Sequence, residues 1–235
     1  MKPLGDIILG GAVESSKQIS GKNAWYPAGQ KDWFILRQLV AKDFKLKYRR
    51  SALGVAWSVL NPLMMMAVMA VVFSALAGRS AEGIPSFPLY IILGNVTFSL
   101  MSESTSQGMS SIIGAASLLK KVKIDRWVFP IEKVLFAVVN FVFSLIAVAL
   151  VMGFVGISPT VYVLMLPLLV LYLGTFCAGL SLLLSAASVF FRDVMHLWGV
   201  VLTAWTYATP LFYAEEILPG WLRSLEVFNP MYHYV

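Results

Sequence analysis

The sequence predicts an all-α polytopic membrane protein. Hydrophobic residues make up 59% of its 235 residues and charged residues only 13%, which is about half the charged share of a soluble domain. The apolar residues are gathered in long runs, and the first of them, 52–77, has no charged residue. A run of ~20 such residues crosses the hydrocarbon core of a bilayer as a helix. The cationic residues are divided unevenly between the loops, as in proteins that cross a membrane several times.

The division of Lys and Arg predicts the topology. Sixteen of the eighteen cationic residues precede the first run, surround the loop at 114–130 or stand at Arg192, and only Arg79 and Arg223 lie in the alternate loops. Because cytoplasmic loops carry an excess of Lys and Arg, the N-terminus and the loop at 114–130 are expected inside. This arrangement explains the net charge of +6 without a nucleic-acid partner.

The chain begins with a predicted cytoplasmic tail, 1–31, and an interface helix, 32–50. In this helix apolar residues alternate with Lys, Arg and Asp, and Asp32 is placed to cap its N-terminus. Such a cationic amphipathic helix before a span lies in the membrane interface, near anionic head groups. A plain juxtamembrane anchor is the alternative.

Five spans follow. The first contains Asn61-Pro62, where proline is expected to kink the helix. The charge-free stretch 134–191 is too long for one helix and is divided by the glycine and proline of 156–160. The predicted spans are 52–77, 88–113, 131–155, 160–190 and 194–213.

The second span has a polar second half centred on Glu103. An ionisable residue within a span normally faces the bundle interior or an aqueous cavity, so this helix is expected to pack centrally or to line a path. Alternatively, Glu103 lies near the inner interface and caps its neighbours. In the fourth span, small residues suited to close helix packing recur every three or four positions: Gly174, Ala178, Ser181 and Ser185.

The C-terminal stretch 214–235 predicts an outer re-entrant hairpin, because its apolar pieces are short and broken by Pro and Gly. Glu215 and Glu216 are expected on its charged rim. The chain stops without an anchor or a polar tail, so a sixth span is expected to be missing from it.

The sequence contains no recognisable motif for ATP binding, metal binding or catalysis. Gly21-Lys22 lacks the remainder of a P-loop, the two histidines are far apart, and Cys177 is the single cysteine. The sequence therefore predicts no catalytic residue, no metal site and no cofactor of its own. The segment 117–130 instead combines exposed cations with Leu, Trp and Phe, which is typical of a surface that meets a soluble partner.

Five ordered motifs resemble ABC-2 type permeases that export polysaccharides. These motifs are KDFKLKYRRSALGVAWSVLNPL at 42–63, LLKKV at 118–122 with Phe129-Pro130, FFRDV at 190–194, TPLFY at 209–213 and NPMYHY at 229–234. The likeness covers about residues 32–235, an ABC-2 transmembrane domain. The family members that these motifs resemble are O-antigen, teichoic-acid and capsule exporters of the bacterial cytoplasmic membrane.

This resemblance implies a permease homodimer with two copies of a separate ATPase subunit, which bind ATP and Mg²⁺. It assigns the coupling loop 114–130 to ATPase docking, carried by Leu118, Leu119, Lys120, Lys121, Val122 and Trp127. It implies an outer gate around Glu215, Glu216, Trp221 and Arg223, and six spans per permease. Its substrates are glycans on a polyprenyl diphosphate, for which Lys45, Lys47, Arg49 and Arg50 are the candidate headgroup site.

Aromatic faces suit sugars that slide along a path. The channel candidates are Tyr90, Phe98, Glu103, Tyr172, Phe176, Trp205 and Tyr207. Two other functions stay open, an ABC-2 exporter of a drug or small lipid and an integral-membrane glycan-modifying enzyme.

Overall fold

The computed structural model describes residues 28–48, 54, 56–76, 87–121, 124–157, 161–211, 213, 220 and 226–234. All regular secondary structure in these residues is helical. The helices are α1 Ala28–Tyr48, α2 Ala56–Leu76, α3 Phe87–Gly114, the one-turn α4 Ala116–Leu119, α5 Val128–Val155, α6 Leu166–Phe190 and α7 Val194–Ala208, with 3₁₀ turns at Val161–Met165 and Pro230–His233. The chain divides into two compact units, Met1–Ile35 and Leu36–Val235. The contacts of α1 described below are made by residues that follow Ile35, within the second unit.

Two helix ends differ from the prediction. Helix α1 comprises Ala28–Tyr48, so Asp32 lies inside the helix and the predicted N-cap is wrong. Helix α7 ends at Ala208 rather than 213, because Thr209 is extended (φ −84°, ψ 134°) before Pro210. Helix α2 contains Pro62 and continues past it.

Two helical segments of the described chain are long and apolar enough to cross a membrane, Val128–Phe154 and Val163–Phe190. Helix α3 has 28 residues, but its second half is polar. Helix α7 has 15 residues, which span only ~22 Å at 1.5 Å per residue. The division between the two apolar segments falls at Gly156, whose left-handed φ of 75° ends α5. The five-span topology stays a prediction.

Helix α3 is the centre of the second unit and packs against α2, α5, α6 and α7. Its Ile91, Ile92 and Met101 are fully buried, together with Leu173 and Cys177 of α6. Burying each such side chain contributes roughly 1.5–3 kcal/mol where water is the alternative. The polar residues of α3 share this interior, so they need hydrogen-bond partners there.

The small residues of α6 allow its backbone to approach α3. Ser181 Oγ donates to the carbonyl of Ser104 at 3.1 Å, and Ser188 Oγ donates to the carbonyl of Met109 at 2.7 Å. Ser181 and Ser185 of the predicted stripe are buried. On the α7 side, Trp198 Nε1 donates to Thr105 Oγ1 at 3.2 Å.

Replacing Gly108 by alanine tests this close approach. A Cβ at position 108 would lie 2.7 Å from Ser181 Cβ, so Gly108→Ala should lower the free energy of unfolding by roughly 1–3 kcal/mol through overpacking. At Gly179 of α6 no atom lies within 4 Å of an added Cβ. Gly179→Ala should therefore be neutral or slightly stabilising. Unfolding in mixed micelles measures both, and equal values for the two variants would contradict the close α3–α6 packing.

Candidate functional site

One carboxylate oxygen gathers donors from three helices. Glu103 Oε1 of α3 accepts hydrogen bonds from Lys47 Nζ of α1 at 3.1 Å, from Gln107 Nε2 at 3.0 Å and from Asn140 Nδ2 of α5 at 3.0 Å. Lys47 Nζ also lies 5.3 Å from the centroid of the Phe136 ring, within cation–π range. Hydrogen bonds to a charged group are the stronger kind, so this arrangement holds the end of α1 against α3 and α5.

The ion pair lies in the wall of a groove of about 570 Å³ between α2, α3 and α5. This volume is in the range of small-molecule sites. Eight lining residues are polar or charged and five are apolar: Lys47, Ser58, Asn61, Asn95, Ser99, Glu103, Asn140 and Ser144, with Pro62, Met64, Met65, Val68 and Val96.

The groove follows the axis of α3 for about two turns. Asn95 precedes Glu103 by eight residues of α3, which is ~12 Å along the helix. Ser144 Oγ donates to the carbonyl of Ser58 at 3.3 Å and joins α5 to the start of α2. The ion pair therefore lies near the end of the groove where α2 begins, and Asn95 and Val68 lie further along it.

A second charged cluster fixes α1 to the foot of α5. Lys133 Nζ pairs with Asp43 Oδ2 and lies 3.3 Å from Glu132 Oε2, while Lys42 Nζ lies 3.2 Å from Asp43 Oδ1. Phe44 stacks on Phe143 in the same contact, with ring centroids 5.5 Å apart. Glu132 is buried, and its Oε1 has no hydrogen-bond partner within the described part of the chain.

The carboxylate of Asp43 is stabilised by these cations. Burial alone would raise its pKa, but the hydrogen bond and charge of Lys133 outweigh burial and hold the pKa below its ordinary value of 3.8. The stability that the pair contributes is therefore fully present above that ordinary value and is lost only as the pH falls through the lowered pKa.

The predicted coupling residues are partly described. Helix α4 is one turn long, Leu118 and Leu119 are half-buried, Lys120 and Lys121 are exposed, and Trp127 is 44% exposed. Val122 lies outside the described residues, so the apolar face predicted for it with Leu118 and Leu119 is untested.

The predicted cationic cluster is only partly described, and its role stays a prediction. Lys45 is exposed, Lys47 is paired with Glu103, and Arg49 and Arg50 lie outside the described residues.

Four of the six aromatic channel candidates have packing roles. Tyr90 Oη donates to the carbonyl of Pro210, Phe98 is buried, Phe176 packs on Tyr234, and Trp205 Nε1 donates to Asn229 Oδ1 at 2.7 Å. Tyr172 and Tyr207 are 58% and 69% exposed.

The predicted outer-gate residues Glu215, Glu216, Trp221 and Arg223 lie outside the described part. In the described residues near the C-terminus, Asn229 Nδ2 joins Thr209 Oγ1 at 3.0 Å to Glu226 Oε2 at 2.9 Å. This network was not predicted.

Sequence reasoning also missed most of the groove. Asn61, Asn95 and Asn140 each lie within a predicted span, and three amides in three spans were a signal that they face a shared polar space. The Lys133–Asp43 pair had no such signal, because its partners are 90 residues apart in the chain.

Known proteins are similar to this chain over most of its length. The model of the ABC-2 type transporter family matches residues 35–235. The O-antigen export system permease protein RfbA of Myxococcus xanthus is 36% identical over 200 residues, which are 84% of this chain and 75% of that protein. Two Klebsiella pneumoniae proteins of the same name are 26% and 25% identical over 198 residues, again 84% of this chain and 75% of each relative.

Replacing Lys133 tests the charged cluster at the foot of α5. Lys133→Met leaves Asp43 and Glu132 without their shared cation, so the free energy of unfolding should fall by roughly 1–3 kcal/mol, less than the ~3–5 kcal/mol of a fully buried pair. Lys42→Met is the matched control, since Lys42 is 40% exposed and should cost under about 1 kcal/mol. Unfolding titrations at neutral pH compare them. An equal cost for both would contradict the central role of Lys133.

Proposed function

Because the chain belongs to the ABC-2 type transporter family, as its match over residues 35–235 shows, we propose that it is the permease subunit of an ABC transporter that exports a lipid-linked polysaccharide. The family match is the observation that carries the transporter role. Members of this family are membrane-embedded, and the two long apolar segments at Val128–Phe154 and Val163–Phe190 agree with that setting.

The polysaccharide substrate is supported by the relatives. All three reported relatives are named as O-antigen export permeases, and the first shares 36% identity over most of both chains. A glycan of O-antigen type on a polyprenyl diphosphate is the substrate we assign to this chain. The permease then lies in the bacterial cytoplasmic membrane with its N-terminus inside, as the distribution of Lys and Arg predicts.

Export against a gradient needs an energy source, which we place in a partner. The sequence contains no complete P-loop, so two copies of a separate ATPase subunit would bind ATP and Mg²⁺ and serve a permease homodimer. Closure of the two ATPase subunits would be the step that moves the permease.

The docking surface we assign is the segment from Leu118 to Trp127. Trp127 directly precedes α5 and is 44% exposed, and buried aromatic anchors contribute most of the energy at interfaces. The exposed Lys120 and Lys121 suit acidic groups on the rim of a partner, where charges affect association rate and salt dependence more than affinity.

Complementation in cells tests this function. Deleting the gene for this chain should stop polysaccharide from reaching the cell surface, with lipid-linked polymer accumulating inside. The wild-type chain should restore export, whereas Leu119→Asp should insert in the membrane but neither export nor co-purify the ATPase. Lys121→Ala is the matched control and should retain export, with ATPase association more sensitive to salt. Surface polysaccharide after deletion would refute the export function, and wild-type behaviour of Leu119→Asp would refute only the docking site.

A further inference from the structure

The proposed function leaves the groove between α2, α3 and α5 without an assigned role. Its polar lining comes from helices of a membrane-embedded protein, and Asn61 and Ser99 are exposed within it. Polar side chains at membrane depth are normally satisfied by protein, by water or by a ligand. A groove of this size with the exposed polar side chains of Asn61 and Ser99 in its wall is therefore suited to a polar ligand group.

The charges of the groove cancel. Lys47 is the one cation and Glu103 the one carboxylate among the described lining residues, and their atoms are 3.1 Å apart. A phosphate in this groove would gain from Lys47 but would be repelled by Glu103 at a similar distance. The ion pair therefore gives a phosphate no net advantage over an uncharged group.

The hydrogen-bonding groups fit hydroxyls. The side-chain amides of Asn61 and Asn95 each offer donors and acceptors, and Ser99 offers a hydroxyl. A sugar hydroxyl both donates and accepts, so it can bond to every one of these groups and to the Glu103 carboxylate. A phosphate only accepts at neutral pH and would leave the amide oxygens unpaired.

The remaining wall suits an alkyl chain. Met64 is 53% exposed, Met65 39% and Val68 57%, and they share the groove with Pro62 and Val96. Methionine side chains are flexible and adapt to different apolar ligands. Polar and apolar residues along one groove match an amphiphile with an uncharged polyhydroxylated headgroup.

We propose that this groove binds the saccharide portion of a lipid-linked glycan, with Glu103 and Asn95 bonding to sugar hydroxyls and the Met65 wall contacting the lipid. Lys47 orients the Glu103 carboxylate through their ion pair rather than binding the diphosphate. This assignment deepens the proposed function and rests on it for the source of the sugar.

Protection of a single cysteine tests the ligand class. Cys177 is the one native cysteine, so Met65→Cys in a Cys177→Ala background reports on the apolar wall of the full chain in phosphatidylcholine nanodiscs. Dodecyl maltoside should slow maleimide labelling of this cysteine, and dodecyl phosphate at equal concentration should not. Leu183→Cys, on the 66% exposed position of α6, controls for partitioning into the bilayer and should be protected by neither.

A change of charge provides the sharper signature. Glu103→Gln leaves the charge of Lys47 uncompensated, so the maltoside concentration for half-protection should rise roughly ten-fold, as expected for loss of a hydrogen bond to a charged group. Dodecyl phosphate should now protect. Adding Lys47→Gln restores neutrality and should remove the phosphate protection, an outcome that simple misfolding does not produce.

Three results would overturn the proposal. Equal protection of the starting Met65→Cys protein by both amphiphiles would show a non-selective apolar surface. Protection unchanged by Glu103→Gln would place the sugar elsewhere. Cross-linking of Met65→Cys between two chains, with no effect of maltoside, would make a second copy the occupant.

An export assay separates this proposal from the function on which it rests. Normal export by a Glu103→Gln chain that has lost maltoside protection would overturn the role of the groove and leave the exporter intact. If surface polysaccharide persists after deletion of the gene while maltoside still protects the purified chain, the export function is refuted. The binding of sugars by the groove would then still stand.

Discussion

The rest of the structure depends on the need to satisfy a polar helix inside an apolar bundle. Helix α3 is the central helix, and its second half carries hydroxyls, amides and the Glu103 carboxylate. Each of these groups costs free energy in a low-dielectric interior unless it is paired. Glu103 is paired with Lys47 of α1 and Asn140 of α5, and Thr105 accepts from Trp198 of α7. Several α3 hydroxyls donate to carbonyls of their own helix, and two serines of α6 donate to further α3 carbonyls. The polar bonds of α3 therefore select which helices surround it.

Two charged contacts of α1 connect the candidate site with the proposed docking surface. One is Lys47–Glu103 beside the groove, and the other is Asp43–Lys133 at the foot of α5. Helix α5 begins at Val128, one residue after Trp127, and Lys133 follows within two turns. A displacement of Trp127 by a partner would therefore act on α5, on α1 and on one wall of the groove.

The sequence predicted the kinds of element better than their contacts. Long charge-free runs and the Gly156 break placed the helices, and the polar pattern around Glu103 predicted that α3 would be central or would line a path. The central position is confirmed, because α3 packs against four helices and Glu103 bonds across the bundle. The path-lining role of Glu103 stays a prediction. The pairing of Lys47 with Glu103 could not be predicted from the sequence, because any of four nearby cations could have paired with this carboxylate: Lys45, Lys47, Arg49 and Arg50. Only the position of α1 against α3 and α5 distinguishes one of them.

A double-mutant cycle on Glu103 and Asn140 tests most directly whether the Glu103 carboxylate holds the bundle together. Glu103→Leu, Asn140→Leu and the double variant would be compared by SDS titration of the purified chain in mixed micelles. We expect the loss of unfolding free energy in the double variant to be smaller than the sum of the losses in the two single variants. The difference, the coupling energy, should be roughly 1–3 kcal/mol, the range for a hydrogen bond to a charged group. Additive costs, with coupling within ~0.3 kcal/mol of zero, would contradict the account.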